Sequence, residues 1–428
     1  TFVGCTAILF GTACMGAVKY VPENMKVELS LKVPGNNAVN YKLHPDKLEN
    51  SYFDYEWRSD NKLPITVFHK VEERDSCMRL TVQLTAAQDV YFNYRQLLST
   101  GYRHDNCQFY MPGFWYRRNL RSPKKAPSFH TSDSWLVRED RLSAPLTGIF
   151  SEKEKRFMTV NRLDDFSMDA LATHKEGEII LSGKTSLGFT GFENQQGIAM
   201  LSFGFPYREA PKSYIRKLTL APEVEAFQLM KKGESVLLTW EIMESGADDF
   251  SDFIQHTWEH CYDTYAPKPV ENSYSIADMK QVLSCFFVNS LVDNQPLVYN
   301  SGIHLKVSDC ERNGQAEVGF IGRVLLNAFN AWEYGWQSNR EELKVNSTKI
   351  FDSYLKNGFT EAGFLKESVN YDKNFEDPVH SIRRQSEGLY AIFHFLAYEK
   401  EKGRKHPEWE QRLKNMLNMF LQLQNADG

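Results

Sequence analysis

Residues 377–428 decide the fold: DPVHSIRRQSEGLYAIFHFLAYEKEKGRKHPEWEQRLKNMLNMFLQLQNADG. Gly403 and Pro407 divide this stretch, because glycine commonly ends a helix and proline suits the first turn of the next. The sequence therefore predicts helices over residues 380–402 and 407–424. In the second helix, apolar side chains recur at helical spacing and form one stripe that faces a core: Trp409, Leu413, Met416, Leu417, Phe420 and Leu421.

The first helix of this pair carries charges at its start. Arg383 and Arg384 precede Glu387 by four and three residues, so the three side chains share one helix surface. The segment that follows, 388–398 (GLYAIFHFLAY), is apolar on nearly every side. Two interpretations stay open: an exposed ion-pair face, or an inner helix whose charged start opens on a cleft. Under the second, His380, Arg383 and Arg384 are candidate substrate contacts.

We predict β-structure from about residue 24 to residue 265. Polar and apolar residues alternate in 26–33, 79–84 and 235–242, which is the period of half-buried strands. Short runs bounded by glycine and proline, such as 198–205, add further strands. Because no long helical period separates these runs, they predict a large antiparallel β-sandwich.

The period becomes helical after the proline-containing linker 266–270. The further predicted elements are helices over 276–289, 315–334 and 340–356, a hairpin over 297–310 and a long loop over 357–378. The predicted fold class is therefore multidomain β + α, with a β-sandwich domain over 24–268 and a helical domain over 269–428.

Charge and motifs exclude several classes of function. A formal net charge of −5 argues against a nucleic-acid partner held through its phosphates. Seven cysteines without a CxxC pair predict buried apolar side chains rather than a disulfide framework or a zinc site. GxSxG, HExxH, Walker and dinucleotide-binding motifs are missing from the sequence, and its His residues have no metal-ligand spacing. We therefore predict neither a metal nor a cofactor.

The first 17 residues, TFVGCTAILFGTACMGA, are apolar and small, and a polar chain follows abruptly. Such a segment is too short to span a bilayer and is typical of the end of a secretory signal. We expect export, to the periplasm or outer membrane of a bacterium, and a natural sequence that begins upstream of Thr1. Residues 11–14 (GTAC) loosely resemble a bacterial lipoprotein box, which leaves a lipid anchor at Cys14 open.

Carboxylates at two predicted helix starts are the candidate catalytic groups. Glycoside hydrolysis needs one carboxyl group that donates a proton and a second that activates water or attacks the sugar. The two groups lie about 5 Å apart in retaining enzymes and roughly 6.5–9.5 Å apart in inverting ones. Starts of neighbouring inner helices meet this requirement. We predict Glu311, Glu317 and Glu387 as catalytic residues, with Asp309 in reserve.

Segments 109–127 and 134–142 of the predicted sandwich mix aromatic and arginine residues. Pro-Gly, Ser-Pro and Ala-Pro pairs indicate a long loop in the first of them. Aromatic faces suit sugar rings, and arginine forks bind carboxylates or sulfates. The alternative is a surface loop with solvated arginines. We favour contact with an anionic sugar through five residues: Trp115, Tyr116, Arg117, Arg118 and Arg138.

Four segments carry a family resemblance: FYMPGFWYRRN (109–119), QAEVGFIGRVLLNAFNAWEYG (315–335), DPVHSIRRQSEGLYAIFHFL (377–396) and LQLQNADG (421–428). In outline the chain resembles exported bacterial polysaccharide-utilisation enzymes that place an N-terminal β-sandwich before an (α/α)6 toroid. Among these it is similar to β-glucuronidase-like glycoside hydrolases. The resemblance implies an exo-acting hydrolase of uronic-acid-containing glycans. Because six hairpins contain more helices than are predicted here, it also implies further helices after Gly428.

Two other functions stay open. A polysaccharide lyase of the toroid type would use Tyr371 or His380 as its base. A non-catalytic surface glycan-binding lipoprotein would depend on Trp115 and Arg118 and on none of the carboxylates.

Overall fold

The computed structural model describes residues 22–74, 77–122, 125–164, 176–216, 218–289, 291–292, 298–299, 303–305, 310–312, 315–319, 324–370 and 372–426. For residues 292, 298–299, 303–305, 310–312 and 315 it describes the backbone alone. The chain divides into two compact units, Thr1–Lys268 and Pro269–Gly428. The predicted export segment, with Cys14, lies outside the described residues.

The first unit is built of strands. Their bounds are β1 Met25–Lys32, β2 Val39–Lys47, β3 Tyr55–Arg58, β4 Ile65–Glu73, β5 Cys77–Ala86, β6 Val90–Arg103, β7 Cys107–Met111, β8 Trp115–Arg117, β9 Trp135–Arg138, β10 Leu146–Ser151, β11 Arg156–Arg162, β12 Gly177–Ile180, β13 Phe189–Gln195, β14 Ile198–Phe205, β15 Arg208–Glu209, β16 Ser213–Arg216, β17 Thr219–Ala221, β18 Val224–Met230 and β19 Ser235–Gly246.

Two antiparallel sheets form a sandwich around one core. One sheet has the order β9-β13-β14-β6-β1-β2, and the other has the order β8-β7-β10-β11-β19-β5-β4-β3-β2, so β2 belongs to both. Trp240 of β19 packs between the sheets against Tyr94 of β6 and Phe203 of β14, with ring centroids 6.3 and 5.1 Å away. The predicted β-sandwich is therefore confirmed.

A helix, α1 (Phe250–Tyr265), follows the last strand of this unit, where the sequence predicts β-structure. The Asp249 side chain begins the helix by accepting hydrogen bonds from two backbone N–H groups of the first turn. Apolar side chains at helical spacing are buried on one face of α1: Phe250, Phe253 and Cys261, with Thr257 beside them. The prediction of strands up to residue 265 is wrong, because it overlooks this cap and this spacing.

The second unit is mainly helical, which confirms the multidomain β + α fold class. Its described elements are α2 Ile276–Asn289, β20 Leu291–Val292, β21 Val298–Tyr299, β22 Ile303–Leu305, β23 Cys310–Arg312, β24 Gln315–Glu317, α3 Val324–Gln337, α4 Glu341–Asn357, β25 Ser368–Asn370, β26 Phe375–Glu376, α5 Ile382–Glu401 and α6 Pro407–Leu423. No helix among the described residues is both long enough and apolar enough to cross a lipid bilayer.

Two predicted boundaries in this unit are wrong. The helix predicted from residue 315 does not include Gln315–Glu317, which forms β24 and pairs antiparallel with β25; the described helix α3 runs from Val324. The loop predicted over 357–378 contains β25 and β26. Strands of two or three residues are too short to show a period in the sequence, so only their pairing partners determine them.

Helices α3 to α6 share one hydrophobic core. Phe351 of α4 stacks on Phe395 of α5, with 3.9 Å between ring centroids. The predicted stripe of α6 is buried at Trp409, Leu413 and Met416, whereas Leu421 is 68% exposed. On α5, Tyr390 and Phe393 are 56% and 45% exposed, so the apolar residues of this helix are only partly buried.

Candidate active site

Strand β24 and the residues that follow it lie across the first two turns of α5. A Cβ atom added at Gly319 would lie 2.5 Å from the Cα atom of Arg384. A Cβ atom added at Gly388 would lie 3.1 Å from a methyl carbon of Val318. Consecutive positions of the chain after β24 therefore touch α5 at two points one helical turn apart. Glycine at both positions allows this close approach, because it has no side chain.

This crossing places two predicted catalytic residues, Glu317 and Glu387, beside one junction. Glu317 directly precedes Val318, and Glu387 directly precedes Gly388, which Val318 contacts. Glu317 is partly exposed, whereas its neighbours Ala316 and Val318 are buried. The Glu387 side chain is also partly exposed. Both carboxylates are therefore accessible from solvent.

A third carboxylate, Glu367, is buried at this junction. Its side chain accepts hydrogen bonds from the backbone N–H of Ser381 (2.5 Å) and from Nε2 of Gln385 (3.0 Å). Its backbone carbonyl accepts a hydrogen bond from the N–H of Val318 (3.0 Å). Glu367 thus ties the end of β24 to the first turn of α5. Sequence reasoning does not single it out, because its side-chain partners are 14 and 18 residues away and leave no local pattern.

The two arginines at the start of α5 have different partners. Arg383 Nε donates to Glu387 Oε1 at 3.3 Å, as their spacing predicts. The Arg384 guanidinium instead lies 3.8 Å from an oxygen of Glu367. Arg384 therefore pairs with the buried carboxylate and not with Glu387, which its spacing predicts as the partner. Both arginine side chains remain partly exposed.

His380 lies just before α5. Its ring stacks on Phe364, with 5.2 Å between ring centroids, and none of the described residues gives its Nδ1 atom a hydrogen bond. His380 and Gln385 line a groove of about 690 Å³ between the start of α5 and the end of α6. The opposite wall of the groove is apolar and includes Leu417 and Phe420.

The structure describes the other predicted catalytic positions only in part. Glu311 lies in β23, opposite His304 of β22, rather than at a helix start, so that expectation is wrong. The Glu311 side chain lies outside the part of the chain that the structure describes, as do the whole of Asp309 and Tyr371.

In the first unit, the predicted ligand loop borders a cavity of about 840 Å³. The loop turns sharply, with positive φ angles at Arg117 (57°) and Asn119 (49°). The Asn119 side chain holds this turn by donating to the carbonyl groups of Phe114 (3.2 Å) and Pro127 (3.1 Å). Aromatic and charged side chains line the cavity: Tyr116, Arg117, Arg118, Arg121, Asp105 and Glu152.

The arginines of this cavity are not equally free to bind a ligand. The Arg118 guanidinium donates to the backbone carbonyl of Cys107 (3.3 Å) and to that of Asp105. Arg117 and Arg121 are exposed, and the ring of Tyr116 is half exposed. The groups most accessible to an anionic ligand are therefore Arg117, Arg121 and Tyr116.

Two predicted sugar contacts are buried in the sandwich. Trp115 has no exposed surface and packs against Trp135, with 5.7 Å between ring centroids. Arg138 is 4% exposed and pairs with Asp140 (2.6 Å). Neither side chain is accessible to a glycan, so these two predictions are wrong. Aromatic residues near arginines in a sandwich can serve its core, and the local sequence does not separate that role from ligand binding.

No model of a known protein family matches the sequence, and a search of curated proteins also finds no match. Solved structures with a similar fold include a polysaccharide lyase, at 12% sequence identity and a TM-score of 0.34. That similarity covers 93% of this chain and 61% of the lyase, so the chain spans less than two thirds of that protein.

Two α-galactosidases are also similar in part. The enzyme of family GH36 from Geobacillus stearothermophilus is 9% identical with a TM-score of 0.23, over 51% of this chain and 30% of the enzyme. The enzyme from Lactobacillus brevis is 7% identical with a TM-score of 0.22, over 51% of this chain and 29% of the enzyme. At such scores these similarities carry no argument about the activity of this protein.

Proposed function

We propose that the protein is a glycoside hydrolase that acts on a uronic-acid-containing glycan, with Glu317 and Glu387 as its acid/base pair. The crossing of β24 and α5 carries the proposal, because Glu317 and Glu387 directly precede the two residues that touch there, Val318 and Gly388, and both glutamates are partly exposed. One carboxyl group donates a proton to the leaving oxygen, and the other activates water or attacks the anomeric carbon. Arg383 and Arg384 beside them supply charge-assisted hydrogen bonds for a sugar carboxylate.

The proposal extends to the whole protein. Helices α2 to α6 would belong to an (α/α)6 toroid, and the enzyme would be exo-acting and exported to the periplasm or outer membrane of a bacterium. The supporting observations are the sandwich-then-helices order of the two units and the apolar segment at residues 1–17. A lipid anchor at Cys14 belongs to the same proposal.

Hydrolysis predicts a specific product. With glucuronic-acid-containing oligosaccharides, the protein should generate new reducing ends without the ultraviolet absorbance of an unsaturated uronic acid. With p-nitrophenyl glycosides, it should release nitrophenol from the β-D-glucuronide at least tenfold faster than from the β-D-glucoside. One charge-assisted hydrogen bond accounts for a difference of that order. A glucoside cleaved as fast as the glucuronide would contradict the acidic substrate.

A lyase is the second candidate, and His380 favours it. Its Nδ1 atom has no hydrogen-bond partner among the described residues, and its ring borders the groove between α5 and α6. A base at this position would abstract the proton next to the uronic-acid carboxylate. The glycosidic C–O bond on the adjacent carbon would then break, so that a double bond forms in one product and the departing sugar oxygen takes up a proton. Ultraviolet absorbance that rises with each cleavage, and that His380→Ala abolishes, would replace the hydrolase proposal by this one.

The cavity of the first unit gives a separate prediction about binding. Arg117→Ala and Arg121→Ala should each weaken binding of a uronic-acid oligosaccharide by about tenfold, because each removes a charge-assisted hydrogen bond. Arg216→Ala is a matched control, since Arg216 is an exposed arginine of the same unit outside the cavity. Calorimetric affinities that are equal in all three variants would exclude the cavity as a glycan site. A non-catalytic glycan-binding protein would instead lose binding here and show no turnover.

A further inference from the structure

A cluster of metal-ligand side chains lies in the first unit, where α1 packs on the sheet. The Sγ atom of Cys77, a carboxylate oxygen of Glu241 and a ring nitrogen of His260 all lie within 4.8 Å of one another. Cys77 begins β5, Glu241 lies on the neighbouring strand β19, and His260 is on α1. The three residues are far apart in sequence, so ligand spacing could not reveal the cluster.

The cluster is mostly buried, but solvent reaches it at His260. Cys77 and Glu241 are buried, whereas 21% of the His260 side-chain surface is exposed. One Glu241 oxygen, Oε1, lies 2.6 Å from Nε2 of His260 and accepts a hydrogen bond from Thr264 at 3.2 Å. The other oxygen, Oε2, lies 3.7 Å from the Arg79 guanidinium. An ion could therefore enter past His260 and meet Oε1, while Arg79 orients Oε2.

We propose that Cys77, Glu241 and His260 form a binding site for a divalent metal ion of the zinc class. Thiolate, carboxylate and imidazole are the three ligand types that zinc takes in proteins, and a fourth position stays open for water. The thiolate and the carboxylate together neutralise the charge of the ion, which favours its burial. Binding requires the Cys77 thiolate and an unprotonated His260 Nε2, so the protons they lose go to solvent. This metal site is separate from the proposed hydrolase activity, and the proposal for it does not depend on that activity.

Metal content and cobalt spectroscopy of the full chain test the site. After incubation with zinc and removal of the excess, we expect about one tightly held ion per chain by mass spectrometry, as for a site with three protein ligands. The same protein loaded with Co²⁺ should show thiolate-to-cobalt charge-transfer absorbance. Cys77→Ser should abolish this absorbance and weaken binding at least 100-fold, and His260→Gln should weaken it at least tenfold.

Cys261→Ser is the matched control. Cys261 is a buried free cysteine on α1, one residue after His260, and it lies outside the ligand cluster. This variant should keep both the metal and the cobalt absorbance, and circular dichroism should show that all variants are folded. Binding that survives in Cys77→Ser would overturn the proposal.

A second measurement needs no substitution. X-ray absorption of the native chain with one equivalent of zinc should show a sulfur ligand at about 2.3 Å beside nitrogen and oxygen ligands at about 2.0–2.2 Å. A spectrum without sulfur would exclude the site, as would a native chain that takes up no zinc or cobalt. In that case the contact between Glu241 and His260 serves only to attach α1 to the sheet.

Discussion

Replacement of Glu387 by glutamine is expected to lower kcat on a uronic-acid glycan by about 10²- to 10⁴-fold, and Glu317→Gln should have an effect of the same order. Glutamine keeps the size and shape of glutamate but neither ionises nor transfers a proton. Each substitution therefore removes one half of the acid/base pair while the crossing of β24 and α5 stays in place. Steady-state kinetics with saturating substrate give the comparison.

Stability should hardly change in these variants. The contact between Glu387 and Arg383 joins two partly exposed side chains, and such a pair contributes less than about 1 kcal/mol. Glu401→Gln is the matched control, because Glu401 is exposed at the other end of α5 and should retain native turnover. Near-native turnover in both Glu317→Gln and Glu387→Gln would remove these residues from the catalytic site.

The largest effect on stability is expected from Arg162→Met in the first unit. The Arg162 guanidinium lies 2.7 Å from Glu139 and 2.8 Å from Asp164, and both Arg162 and Glu139 are buried. Without the arginine, a buried carboxylate loses its cation, which costs about 3–5 kcal/mol in the free energy of unfolding. Urea denaturation measures this loss. Adding Glu139→Gln to the variant should recover part of it, since the uncompensated charge is then gone.

Arg156→Met is the control for this prediction. Arg156 also pairs with a glutamate, Glu244, at 3.0 Å, but its side chain is 43% exposed. An exposed pair contributes at most about 1 kcal/mol, so this variant should be nearly as stable as the native protein. Equal losses in the free energy of unfolding for Arg156→Met and Arg162→Met would contradict the prediction that the buried ion pair contributes more than the exposed one.

The loss in Arg162→Met should also depend on pH. Burial raises the pKa of Glu139 to about 7 in the folded protein, above its ordinary value of 4.5. A raised pKa means that the folded state holds the proton of Glu139 more tightly than the unfolded state does. Protonation of Glu139 therefore stabilises the folded protein fully below pH 4.5, and this contribution is lost as the pH rises through 7. A protonated Glu139 needs no cation. The destabilisation by Arg162→Met should therefore be smaller at pH 5 than at pH 8.

Periodicity in the sequence was sufficient for the long elements. The alternation along β5 and β19 predicts strands, and the spacing in α6 predicts the helix that begins at Pro407. It fails for β24, which is too short to have a period, whereas the helical spacing of α1 is present in the sequence and the prediction of strands there overlooks it. Local patterns determine long elements, whereas short ones depend on partners distant in sequence.

In the candidate site, too, some contacts follow from local sequence spacing and others from residues distant in sequence. Arg383 and Glu387 are four residues apart, and their contact is predictable from that spacing. The burial of Glu367 and the approach of Gly319 to Arg384 depend on long-range packing that no single segment encodes. The same holds for Trp115, whose burial reflects the opposite face of the sandwich rather than its own loop.

The acid/base pair is tested most directly by kcat measured on one glycan substrate for four proteins: native, Glu317→Gln, Glu387→Gln and the double variant. If the two carboxyl groups act as one catalytic unit, the double variant should be about as slow as the slower single variant, because either substitution already disables the pair. If the two losses multiply in the double variant, the carboxylates act independently, and the proposed pair is contradicted.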